Sequence, residues 1–152
     1  FIHKLRHNPQ ELEILGDGTQ EKPYLLVDDC VDGIIFGFYN AHEALNVFHL
    51  GGTTTTNVMA IANIVVEEMG LSGVDLRPTG GERGWPGDVP QCWFSVDRIG
   101  ALGWRAQNTS TQAVRIAVRR ILGKPDHGDN DADGHPGRWQ SHPPRPPDQS
   151  HP

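Results

Sequence analysis

Between Val58 and Met69 the apolar residues Val58, Ile61, Ala62, Val65 and Met69 recur at the spacing of one face of an α-helix. The run before it, Leu45 to Leu50, reads as a strand and stops at Gly51-Gly52. A strand that hands over to an amphipathic helix restricts the chain to architectures in which helices pack on a sheet. Thr56 is the expected N-cap of this helix, and Gly70 ends it as a glycine just past a helix does.

The alternation continues on both sides. Leu12 to Leu15 reads as a short strand closed by the turn Gly16-Asp17-Gly18. Tyr24 to Val27 is a second short apolar run, followed by Asp28 and Asp29, which suit a helix N-terminus through the helix dipole. The helix expected there carries Val31, Ile34, Ile35 and Phe38 on one face. Further on come a short strand at Asp75 to Arg77, a Gly/Pro-rich loop from Gly80 to Pro90 and a short helix from Val96 to Leu102 ended by Gly103. Thr109 and Gln112 form a capping box for a last helix with Ala113, Val114, Ala117, Val118, Ile121 and Leu122 on its apolar face. Phe1, Ile2 and Leu5 are also at helical spacing. The order defines an α/β or α+β chain in which parallel pairing is possible.

Composition divides the chain. Residues 1–124 have the apolar content of a folded unit, whereas residues 125–152 hold seven of the twelve prolines and four of the eight histidines, with Trp139 as the one large apolar residue. Such a segment buries too little apolar surface to offset its chain entropy and is expected to be a disordered tail. Within it Asp129, Asp131, Asp133 and Gly134 have the spacing that opens a calcium-binding loop, but Gln140 stands where a bidentate Glu closes one.

The net charge of −6 disfavours a general nucleic-acid binder, which needs a basic surface to displace counterions. No apolar run is long enough for a membrane span or a secretory leader, so a soluble, cytoplasmic protein is expected. Cys30 and Cys92, far apart and outside any metal-ligand spacing, are expected to be buried thiols. The first residue is Phe1, and structured sequence begins at once, which is expected of a chain cut from something longer.

A self-sufficient active site is not legible. No glycine fingerprint for a dinucleotide, P-loop, nucleophile elbow or HExxH run occurs. Tyr39 is followed four residues later by Glu43 rather than by the lysine of a reductase pair. Gly51-Gly52-Thr53-Thr54-Thr55-Thr56 lacks the lysine of a phosphate loop and reads as a strand-to-helix turn.

Three segments together carry a family resemblance. Ile14 to Asp29 contains Gly16-Asp17-Gly18, Gln20, Lys22, Tyr24 and Val27-Asp28-Asp29. Asn46-Val47-Phe48-His49-Leu50-Gly51-Gly52 is followed by Val58 and Ile61-Ala62. Arg83-Gly84-Trp85-Pro86-Gly87-Asp88 precedes Leu102-Gly103-Trp104. In this order they resemble the C-terminal half of extended short-chain dehydrogenase/reductases, the group that includes UDP-glucose 4-epimerase and the nucleotide-sugar dehydratases. The chain departs from that pattern in having Lys22 for an arginine, Pro23 for an aspartate and Trp85 for the arginine before Gly-Asp.

The resemblance implies a Rossmann-type enzyme with a small substrate-binding domain, of which residues 1–124 are the C-terminal, substrate-binding part. It places Leu45–Leu50 in the parallel sheet of the cofactor domain. It implies NAD as cofactor, bound by the missing N-terminal part, a nucleoside diphosphate sugar as ligand, and a homodimer for the intact enzyme. It implies substrate binding by Leu15, Lys22, Tyr24, Arg83 and Asp88.

The chemistry of these residues suits that role. A diphosphate calls for one or two cations in a half-closed cleft, which Lys22 and Arg83 offer from separate loops. Asp88 is suited to accept from a ribose or sugar hydroxyl, Leu15 to pack on the base, and Tyr24 to offer a ring and a hydroxyl. Trp85 and Trp104 read as packing anchors, and Asp88 also suits the bracing of a turn. No catalytic group is expected in the chain, which on this reading is inactive alone. The other readings are a non-catalytic sugar-nucleotide-binding module, a dehydratase fragment, and a fragment without independent function.

Overall fold

The computed structural model describes residues 1–127. The elements in chain order are α1 (Ile2–His7), β1 (Glu11–Ile14), β2 (Glu21–Lys22), α2 (Val27–Asn40), β3 (Thr56–Asn57), α3 (Val58–Glu68), β4 (Asp75–Pro78), α4 (Asp97–Ala101) and α5 (Ser110–Ile121). The chain is α/β, with parallel pairing of β1 and β4 in the register Leu12 opposite Leu76 and antiparallel pairing of β2 and β3. The acidic run and the rest of the expected tail from residue 128 lie outside the described residues. Residues 125–127 lie inside them, where Arg120 holds the Asp126 carboxylate at 2.8 Å.

Strand alternation builds the main core. Leu12 and Ile14 of β1 are wholly buried while Glu11 and Glu13 face outward. They pack with Leu5 of α1, with Ala62, Ile64 and Val65 of α3, and with Val114 and Val118 of α5. Each such aliphatic side chain contributes about 1.5–3 kcal/mol on burial.

Helix α3 starts one residue later than expected. Its cap is Asn57, whose Oδ1 accepts from the Ala60 N–H at 2.7 Å. Thr56 is instead buried in β3, and its hydroxyl bonds Ser110 at 2.9 Å and Thr111 at 3.1 Å. A hydroxyl drawn into an interior network is not available to cap a helix. The other expected ends hold: Gly70 and Gly103 follow α3 and α4 with positive φ, and the Thr109–Gln112 capping box opens α5. On α5 Ile116 is buried along with Ala113, Val114 and Val118, whereas Ala117 and Ile121, expected on the apolar face, are exposed.

The expected strand at Leu45–Leu50 does not form. A strand exists through hydrogen bonds to a neighbour, and the two small sheets among the described residues lie elsewhere. Phe48 and Leu50 rest instead against the glycines of α2: a Cβ at Gly33 would lie 2.8 Å from Leu50 Cδ2, and one at Gly37 would lie 3.5 Å from Phe48 Cδ2. The apolar run at Tyr24 is likewise not a strand, since β2 occupies Glu21–Lys22 and α2 begins at Val27. Asp28 and Asp29 occupy the first turn of α2, as their charge favours.

The apolar face of α2 is open. Val31, Ile34, Ile35 and Phe38 are exposed, Phe38 to 79%. Ile34 and Phe38 of this face, together with Phe48, Leu50 and Ile99, line a groove of about 490 Å³. Both cysteines are free and half-buried rather than enclosed.

Candidate functional site

Two loops meet at the end of the β1–β4 pair. The Gly16 N–H donates to the Thr79 hydroxyl at 2.9 Å, and the Gly80 N–H donates to the Gly16 carbonyl at 2.9 Å. Gly16 and Gly80, both with φ above +80°, turn the chain there in a conformation other residues resist. Lower down, the Glu21 N–H donates to the Pro90 carbonyl at 2.9 Å. The segments 15–22 and 83–91 are thereby held face to face.

The central contact of this cluster joins Lys22 and Asp88. Lys22 Nζ donates to Asp88 Oδ1 at 2.8 Å across 66 residues of sequence. Asp88 is 8% exposed, and its second oxygen accepts from the Gly84 N–H at 3.2 Å. These bonds hold the Asp88 carboxyl below its ordinary value, the Lys22 hydrogen bond most of all, and raise the Lys22 ammonium above its own. Both groups are charged at neutral pH. Asp88 thus braces its own loop while fixing the cation of the other.

Leu15 lies against this turn, with its carbonyl 3.4 Å and its Cβ 3.6 Å from where a Cβ at Gly84 would stand. Its side chain is half exposed. Arg83 is exposed on the same loop and has no hydrogen bond or ion pair among the described residues. Leu15, Lys22, Arg83 and Asp88 therefore share one patch. Tyr24 packs its ring on the main core and donates its N–H to the Ser110 hydroxyl at 3.0 Å, and its phenol is close enough to Lys22 to act on that ammonium.

Two features of the patch were not legible in the sequence reading. Gln20 is only 3% exposed and its amide has no hydrogen-bond partner among the described residues, an arrangement that costs free energy wherever it occurs. Its Nε2 lies beneath Gly16, 1.8 Å from where a Cβ would sit, so a side chain at residue 16 would displace the Gln20 amide as well as strain a backbone with a φ of +84°. Trp85 was expected to anchor packing, but it is 60% exposed; Trp104 does the anchoring, 4% exposed, donating from Nε1 to Asp32 at 2.9 Å. The difference follows from the turn: Gly87 has a φ of +94°, and the Trp85 ring lies on it, outside the core.

The described residues do not fit a dinucleotide cofactor. Such a site needs a strand that turns through glycines into a helix N-terminus. Here β1 passes through Gly16 and Gly18 into β2, and β4 passes into the Gly80–Gly81 loop. A cavity of about 120 Å³ beside Thr54, Trp104 and Asn108 shares no residue with the Lys22–Asp88 patch. No helix among the described residues is long and apolar enough to cross a membrane.

Known proteins share this fold. No family model matches the chain. Over 100 residues it is 27% identical to a GDP-L-fucose synthase of Sinorhizobium fredii, covering 64% of this chain and 30% of that one. A solved UDP-galactose 4-epimerase superposes with a TM-score of 0.67 at 31% identity, over 81% of this chain and 38% of the epimerase. A UDP-glucuronic acid 4-epimerase from Bacillus cereus, solved with UDP-glucuronic acid and NAD, gives a TM-score of 0.65 at 19% identity over 80% of this chain and 38% of its own. The chain is thus similar to extended short-chain dehydrogenase/reductases of the nucleotide-sugar epimerase/dehydratase group. It spans about 38% of the length of those epimerases and 30% of the synthase.

Proposed function

We propose that this chain is the C-terminal, substrate-recognition part of an NAD-dependent nucleotide-sugar epimerase of the UDP-glucose 4-epimerase kind. The observation that carries the reading is the Lys22–Asp88 contact at 2.8 Å, which joins two of the family-like motifs in one patch beside Arg83, which has no hydrogen bond or ion pair among the described residues. A diphosphate approaching this patch meets a directed ammonium and an exposed guanidinium. Arg83 suits bidentate capture of a phosphate, and Lys22 acts as a point charge. Asp88 keeps Lys22 in place, and Leu15 offers apolar surface beside the ligand.

On this reading NAD and the catalytic groups come from the remaining length of the enzyme. Two features support that division. The described residues offer no turn that fits the cofactor, and α2 presents an open apolar face of the sort a neighbouring domain covers. When bound, NAD supplies the hydride acceptor; this chain's residues hold and orient the sugar nucleotide against it. A dehydratase would use the same binding half, and a non-catalytic binding module is the second reading because Leu15, Lys22, Arg83 and Asp88 meet within this chain.

Calorimetric titration of the 152-residue chain with UDP-glucose and, separately, with NAD tests the proposal. Binding of UDP-glucose without binding of NAD is expected. Micromolar binding of NAD, or no binding of UDP-glucose, overturns the division of labour.

A further inference from the structure

The Trp85 side chain stands out beside this site. Tryptophan is highly buried on average, yet Trp85 is 60% exposed while Trp104 is 4% exposed. Its exposure is built in. The Asp88 N–H donates to the Trp85 carbonyl at 3.0 Å, closing a tight turn through Pro86 and Gly87. A Cβ at Gly87 would lie 3.2 Å from Trp85 Cζ3 and 3.7 Å from Cη2, so the ring rests on the bare glycine. The turn is pinned from beneath by the Asp88 carboxylate, which holds Gly84 and Lys22. One face of the indole is therefore supported by Gly87 and the side chain is largely open, in the loop that carries Arg83 and whose Asp88 holds Lys22.

We propose that the open face of Trp85 is the platform on which the nucleobase of the bound nucleoside diphosphate stacks. This rests on the reading of Lys22 and Arg83 as the diphosphate site. A supported aromatic face in the loop that carries Arg83 and is tied to Lys22 through Asp88 matches the two ends of a nucleotide, a flat π-system and a phosphate chain, and stacking tolerates any base because every base has a π-face. Trp85 thereby recognises that a nucleotide is present, and the identity of the base is read by other groups.

The test is calorimetric affinity of the 152-residue chain for UDP and for inorganic pyrophosphate, in wild type, Trp85→Phe and Trp85→Ala. Loss of one base–aromatic stack is expected to weaken UDP about ten-fold in Trp85→Ala. Pyrophosphate affinity is expected to stay unchanged, and Trp85→Phe to keep most of the UDP affinity. Equal weakening of UDP and pyrophosphate means that the ring only shapes the loop, and overturns the inference. Unchanged UDP affinity in Trp85→Ala overturns it as well. If wild type binds neither probe, the diphosphate site itself fails and the inference with it.

Discussion

Ser110 and Thr56 share a buried hydrogen bond of 2.9 Å that ties the first turn of α5 to the strand before α3. The Ser110 side chain is wholly enclosed, accepts the Tyr24 N–H at 3.0 Å and sits 3.4 Å from the Lys22 carbonyl. One hydroxyl therefore stitches α5, β3 and the segment that positions Lys22. Ser110→Ala leaves buried donors without partners and is expected to cost about 2 kcal/mol. Urea unfolding of the two proteins measures it.

Gly33 in α2 sits under a close crossing. Alanine there gains about 1 kcal/mol of helix propensity. The added Cβ would lie 2.8 Å from both Leu50 Cδ2 and Trp104 Cζ2. Leu50 can turn away, but Trp104 is buried and bonded to Asp32. Overpacking of this kind costs about 1–3 kcal/mol, so Gly33→Ala is expected to be net destabilising, with a shift in Trp104 emission. An unchanged melting temperature and spectrum would show that the crossing is loose.

The carboxylates give a signed pH dependence. Burial pushes Glu68 up, but hydrogen bonds from Arg119 and Arg115 outweigh it and leave its carboxyl below the ordinary value. Hydrogen bonds from Arg120 lower Asp28 and Asp126. An acid with a depressed folded pKa contributes stability that is fully present above its unfolded value, near pH 4, and is lost as pH falls through the folded value. Stability is therefore expected to hold at neutral pH and to decline below about pH 4. Glu68→Gln should flatten that acid limb in denaturation curves taken from pH 7 to pH 2.

Asp32 has the opposite sign. Burial raises its carboxyl above the ordinary value, and one oxygen has no partner among the described residues. Its charge opposes folding at neutral pH, and that opposition fades as pH falls through the folded value. Asp32→Asn keeps an acceptor for Trp104 and should stabilise the chain at pH 7 relative to its effect at pH 3. An equal effect at the two pH values would contradict this.

Sequence periodicity located the helices and the β1–β4 strands because local patterning decides where a chain of 3.6 or 2 residues per repeat buries its face. It failed at Leu45–Leu50, where strand formation depends on a partner rather than on the segment itself. It missed Asn57 as the cap of α3 because Thr56 is captured by Ser110, 54 residues away. At the site, the motifs named Lys22, Arg83 and Asp88, but the residues alone did not reveal that Lys22 and Asp88 pair, nor that Trp85 stands outside the core. Both depend on how the two loops close on each other through Gly16, Gly80 and Glu21.

The central claim is that Arg83 and Lys22 hold the diphosphate of a nucleotide sugar. Lys22→Ala also takes the cation from the enclosed Asp88 carboxylate, so Arg83→Ala, which breaks no hydrogen bond or ion pair among the described residues, is the cleaner variant. The decisive measurement is the dissociation constant for UDP-glucose at fixed ionic strength, wild type against Arg83→Ala. Loss of a charge-assisted hydrogen bond of about 1.5–3 kcal/mol predicts an affinity roughly ten-fold to a hundred-fold weaker. An Arg83→Ala chain that folds as wild type and binds UDP-glucose equally well would contradict it.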